Sequence, residues 1–135
     1  MNTLTVLTLR LAEGLGLYLL AAGIGILLDP ARWRDIVDGL ERSPALTHVT
    51  GVLAFAIGAG IFGVHHFLHD PLADIVTFAA FAIAIEGLIL LIRPGPLLAI
   101  GRALQGSARL WSAAAAVVGL LLFLAGYCGR ADAII

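Results

Sequence analysis

The sequence predicts an all-α polytopic membrane protein. Four transmembrane helices form two parallel helical-hairpin repeats, each with a short interfacial amphipathic helix. Three observations lead there. The chain has 135 residues, 61% hydrophobic and only 13% charged, with a mean hydropathy of +1.04, far above an ordinary soluble domain. Four apolar stretches reach the roughly 20 residues that a bilayer crossing needs. One linker pattern occurs twice, half a chain apart.

The spans run from about Leu9 to Leu28, Leu46 to Phe67, Leu72 to Ile92 and Leu110 to Tyr127. None alternates with period two, which excludes a β-barrel and leaves helices. The N-terminus lacks a basic segment followed by a cleavage site, so its apolar run reads as a retained span. A formal net charge of −1 gives no reason to expect nucleic acid. All the cations are Arg. The single cysteine, Cys128, excludes an internal disulfide and a Cys-based zinc cage.

Spans two and three are joined by a few residues around "HDP", which forces an antiparallel hairpin. The linker between spans one and two, "DPARWRDIVDGLERSP", predicts a helix over 30–42. Asp29 is its N-cap, Pro30 its first residue, and Ser43-Pro44 its end. Trp33, Ile36, Val37 and Leu40 fall at i, i+3, i+4 and i+7, while Arg32, Arg34, Asp35, Asp38, Glu41 and Arg42 face away. That pattern suits a helix lying in the membrane interface with Trp33 as aromatic anchor. The linker "RPGPLLAIGRALQGSAR" repeats it over 96–106. At the offset separating Gly23 from Gly87, Pro30 meets Pro94, Trp33 meets Leu97, Ile36 meets Ile100, Leu40 meets Leu104 and Ser43 meets Ser107. Two spans per half restore orientation, so residues 1–67 and 68–135 read as a parallel tandem repeat.

The second half, "EGLILLIRPGPLLAIGRALQG" followed by "ARLWSAAAAVVGLLLFLAG", resembles a family of short, two-span bacterial inner-membrane proteins of unknown function. The resemblance is carried by Glu86, Gly87 and Leu88, by Pro94 eight positions after the Glu, by the amphipathic segment and by the small-residue-rich span. The first half matches from "PARWRDIVDGLERSPALTHVTGVLAFAIGAGIF" but has Ala22 where the Glu belongs. That family is sometimes encoded beside stomatin-like HflK and HflC proteins, which implies accessory work beside a membrane protease.

Arg placement orients the chain. Arg32, Arg34, Arg42, Arg93, Arg102 and Arg109 lie on the linkers, against Arg10 and Arg130 on the opposite side. The linkers are therefore expected in the cytoplasm of a bacterial inner membrane, with both termini and the histidine turn outside. Glycine and alanine crowd spans one and two, and Ala56/Gly60 and Ala59/Gly63 form small-xxx-small pairs. Such faces serve internal packing, contact with other subunits or self, or both on different faces.

Ionisable residues in spans are candidates for function. Arg10 and Glu13 are three apart and can pair. Glu13 lies about 25 Å along the helix from Pro30, near the outer interface. Glu86 sits roughly 12 Å from Pro94, inside the hydrocarbon. It either ties its span to a neighbour or acts as a proton, cation or subunit contact.

The stretch "GVHHFLHDP" supplies the candidate metal residues His65, His66 and His69, with Asp74 as a third ligand. The competing reading makes Asp70-Pro71 a helix start and the histidines polar residues finishing span two at the outer interface. External pH sensing is a further use of the same residues. Otherwise no cofactor is expected. No nucleophile elbow, phosphate loop or membrane-protease signature is present, so the chain is expected to be no enzyme. The expected role is an accessory or scaffold subunit of an inner-membrane complex. The alternative is a small transporter or metal- or proton-binding protein using Glu86 or the histidine turn.

Overall fold

The computed structural model describes residues 3–65 and 71–132, with side chains over 6–65 and 71–129. It is all helical: α1 (Thr3–Leu28), α2 (Ala31–Arg42), α3 (Pro44–Val64), α4 (Pro71–Ile92), α5 (Pro94–Ala103) and α6 (Ala108–Asp132), with a 3-10 turn over Gln105–Ser107. α1, α3, α4 and α6 supply four segments long and apolar enough to cross a bilayer: Val6–Leu28, Pro44–Val64, Pro71–Ile92 and Gln105–Gly129.

Prolines punctuate the chain by stopping one helix and opening the next. Ser43 Oγ accepts a hydrogen bond from the Leu46 amide at 3.1 Å, and Pro44 occupies the first turn of α3. Ser43 is thus the start of α3 as well as the end of α2. The Asp29 side chain makes no capping bond to α2; Pro30 holds the cap position, and the Asp29 carbonyl accepts from the Arg32 amide instead. Asp70, expected to use the same device, lies outside the described residues. Thr47 Oγ1 donates to the Leu40 carbonyl at 2.6 Å and fixes the α2–α3 elbow.

α1 packs along α6 and α3 along α4, with a lighter α1–α4 contact joining the two pairs. Glycine makes each pairing close. A β-carbon at Gly58 would strike the Ala84 backbone nitrogen and lie 2.7 Å from the Ala80 carbonyl oxygen. One at Gly119 would strike the Leu20 nitrogen and lie 2.6 Å from the Gly16 carbonyl. Gly87 meets the Phe55 nitrogen and the Gly51 carbonyl, as Gly23 meets Ala116 and Ser112. Lipid gives helices no hydrophobic reason to associate, so such backbone approach is what binds them.

These four contacts match pairwise. Ala80 to Gly16, Ala84 to Leu20 and Gly87 to Gly23 share one shift of 64 positions; Gly51 to Ser112, Phe55 to Ala116 and Gly58 to Gly119 share a shift of 61. A single offset therefore does not run through the whole half, because the second linker is three residues shorter between matching seams.

The pairs Ala56/Gly60 and Ala59/Gly63 are not where the bundle packs. A β-carbon at Gly60 or Gly63 would meet nothing within 4 Å, and Ala56, Gly60 and Gly63 are exposed. The seam residues recur every seven positions instead: Gly16/Gly23, Gly51/Gly58, Ala80/Gly87 and Gly119/Gly126. Seven residues are about two turns, which keeps both small residues of each pair on one stripe.

Candidate functional site

The site lies where the linker helices meet. α2 and α5 touch each other, so both linkers occupy the same end of the bundle. Their apolar faces line one cleft of about 460 Å³. From α2 come Trp33, Ile36, Val37 and Leu40; from α5 and the turn after it come Leu97, Ile100, Gly101 and Leu104. Each residue of the first quartet is 64 positions from its counterpart in the second. Leu98 adds to the wall, while Tyr18 of α1, Thr50 of α3, and Glu86 and Leu90 of α4 close the remaining sides.

Trp33, expected as an interface anchor, spends its indole N–H on the Gly101 carbonyl oxygen at 2.7 Å. Gly101 permits this approach; a β-carbon there would already lie 3.4 Å from Val37 Cγ2. Val37 is buried, Trp33 and Leu40 are half-buried, and Ile36 remains exposed.

The polar faces do not simply look away. Arg102 reaches back from α5 to hold Asp38 and Glu41 of α2. Its Nη2 donates to Asp38 Oδ1 at 2.7 Å and to Glu41 Oε2 at 2.6 Å, and its Nε donates to Glu41 Oε1 at 3.1 Å. Arg42 lies 3.5 Å from Asp38 one helical turn along. The hydrogen bond from Arg102 holds the Asp38 carboxyl below its ordinary range, and the two acids raise the Arg102 guanidinium. A signal for this clasp existed in the sequence: Asp38 and Arg102 are themselves 64 positions apart, so matching sites carry opposite charge.

Glu86 opens into the cleft from the flank of α4. Glu86 is an exposed residue and makes no hydrogen bond or ion pair among the described residues. Arg10 and Glu13 pair at 3.0 Å, as their spacing predicts, on a different stretch of α1.

At the other end of the bundle His65 is fully buried. Its Nε2 lies 2.7 Å from Thr8 Oγ1 on α1, and its Nδ1 lies 3.1 Å from Thr77 Oγ1 on α4. Both ring nitrogens are thus engaged by hydroxyls, and one imidazole ties the ends of three helices. The sequence reads His65 as a metal ligand or as a polar residue finishing span two at the outer interface; nothing local reveals two threonines arriving from other helices. His66 and His69 lie outside the described residues. Asp74, in the first turn of α4, has a buried Oδ1 without a hydrogen-bond partner among the described residues. Among the described residues no three His, Cys, Asp or Glu side chains gather as a metal ion would need.

Fold and cleft together define an all-helical, multi-pass membrane protein with a cleft under its two linker helices. No family model, curated protein or solved structure matches the chain.

Proposed function

We propose that the protein is a non-enzymatic accessory or scaffold subunit of a larger bacterial inner-membrane complex. The carrying observation is the unused small-residue face of α3. Seven-residue glycine stripes account for the packing inside the bundle, yet Ala56, Gly60 and Gly63 point outward with open space before them. Against lipid a glycine contributes nothing that alanine or leucine would not exceed, whereas against another helix it permits close backbone contact. In this reading the face receives a helix of a partner subunit. Isolation in mild detergent, with mass analysis of the co-purifying chains, tests it. A defined partner is expected, and Gly60→Leu with Gly63→Leu is expected to release it. A partner-free protein in every mild detergent would argue against the role.

In the same proposal the halves derive from a tandem duplication, and the two linkers are interfacial helices on the cytoplasmic side. The shared shifts at the glycine seams and the matching cleft quartets support the duplication. The contact between α2 and α5 supports a common side, and the excess of Arg on the linkers supports the cytoplasm.

A second reading has its own observation. Glu86 brings a carboxyl with no partner among the described residues into an apolar cleft at span depth, where an ionisable group is costly without a partner. On that reading the cleft binds a proton, a cation or a small ligand. Substitution by Gln would then abolish binding while leaving any partner subunit attached.

A further inference from the structure

We infer that the cleft beneath the linker helices binds an amphipathic amine, its protonated nitrogen seated on Glu86 and its apolar body between α2 and α5. The inference rests on the second reading above and gives that site its ligand class.

The polar inventory of the cleft sets the requirement. Trp33 has one N–H, already donated to Gly101. Thr50 donates its hydroxyl to the Leu46 carbonyl at 2.7 Å, which leaves it only lone pairs to offer. Glu86 offers a carboxylate with no partner among the described residues, and Tyr18 adds a phenol that is 68% exposed. Among the described residues no cationic side chain lines the cleft, and the nearby Arg102 is committed to Asp38 and Glu41. The cleft therefore holds more acceptors than donors, the Tyr18 hydroxyl being its uncommitted donor, and a carboxyl with no cation beside it among the described residues. A ligand that completes it must donate N–H bonds and carry a cation.

The remaining walls describe the rest of the molecule. The paired quartets of α2 and α5 are apolar apart from the indole. Trp33 and Tyr18 present aromatic faces, to which ammonium groups are drawn. A volume of about 460 Å³ falls in the usual range for small-molecule sites, roughly 300–1,000 Å³.

Asymmetry separates this site from the framework. The apolar quartets recur in both halves, but the positions matching Glu86 and Tyr18 are Ala22 and Ala82. The carboxyl and the phenol thus stand apart from the quartets that recur in both halves.

The test uses the intact protein in lipid nanodiscs, with dansylcadaverine as the amine and its N-acetylated form as the neutral control. Energy transfer from tryptophan to dansyl reports binding. The amine is expected to bind saturably and roughly tenfold or more tightly than the acetylated form, the scale of one charge-assisted hydrogen bond. Glu86→Gln should erase that preference, and Tyr18→Phe should weaken amine binding a few-fold. Glu13→Gln should change nothing. Equal binding of both probes, or an undiminished preference in Glu86→Gln, overturns the inference. Should Glu86→Gln fail to fold, the wild-type protein still decides. Dicyclohexylcarbodiimide labelling of Glu86, read by peptide mass, should be suppressed by the amine and not by its acetylated form. Labelling without that protection overturns the amine and leaves Glu86 an exchangeable site. No labelling at all removes the second reading as well.

Discussion

Asp38 and Arg102 stand at matching positions of the two linker helices and are joined by a 2.7 Å hydrogen bond. An acid of α2 thus meets a base of α5 where the two linker helices touch. The same guanidinium grips Glu41, so one α5 residue latches the polar side of α2 while Trp33 latches the apolar side.

That latch responds to pH with a definite sign. The folded Asp38 carboxyl titrates below its ordinary value, so its contribution is present above the unfolded value and is lost as pH falls through the folded one. Arg102 stays charged throughout. Spin labels at Ala31→Cys and Ala103→Cys, in a Cys128→Ser background, should show a narrow α2–α5 distance distribution at neutral pH. It should broaden below about pH 4, near the reference carboxylate value, and at neutral pH in Arg102→Ala. The pair is exposed, so raised salt should loosen it too. A distribution indifferent to all three would refute the latch.

The glycines divide into two populations with opposite tolerances. Gly58→Leu or Gly119→Leu forces a side chain into opposing backbone and should cost about 1–3 kcal/mol or more of bundle stability. Gly60→Leu in the isolated protein should remain within about 0.5 kcal/mol of wild type, since nothing lies before it. Unfolding in detergent with a helix-reporting probe checks both. Equal penalties at Gly58 and Gly60 would dissolve the distinction.

The buried imidazole should behave as a three-helix tie. Thr77→Val and Thr8→Val each leave one ring nitrogen without its hydroxyl and should destabilise by about 1–3 kcal/mol. Because both hydroxyls share one ring, the double variant should depart from additivity. Simple addition of the two effects, measured by chemical unfolding, would mean that His65 does not link them.

Trp33→Phe keeps most of the ring but leaves the Gly101 carbonyl without its donor. It should cost about 1 kcal/mol and widen the α2–α5 label distance. Ile36→Ala, at an exposed position of the same helix, should leave that distance unchanged.

The parts of the fold readable in the sequence are those governed by local pattern. Hydropathy over a span length finds the four apolar helices, and the spacing of Trp33, Ile36, Val37 and Leu40 finds the linker helix together with the face that lines the cleft. Proline marks most of the boundaries. Its grammar misleads at Asp29, because a capping residue type does not ensure a capping bond, and is incomplete at Ser43, which ends α2 as read and also opens α3. Small-residue pairs are visible at four-residue spacing, but the seams use seven, and no local pattern tells an inward glycine from an outward one. His65 is hidden for the same reason: its partners lie 57 and 12 positions away, on different helices. Glu86 is legible as a carboxyl at span depth; the cleft around it requires five helices to be in place.

Native mass spectrometry after mild-detergent extraction tests the central claim, that the outward face of α3 receives a partner subunit. Wild type should carry a defined second chain, Gly60→Leu with Gly63→Leu should lose it while keeping the wild-type unfolding temperature, and Glu86→Gln should retain it. A partner that survives the glycine substitutions, or no partner in any condition that preserves the fold, would contradict the account.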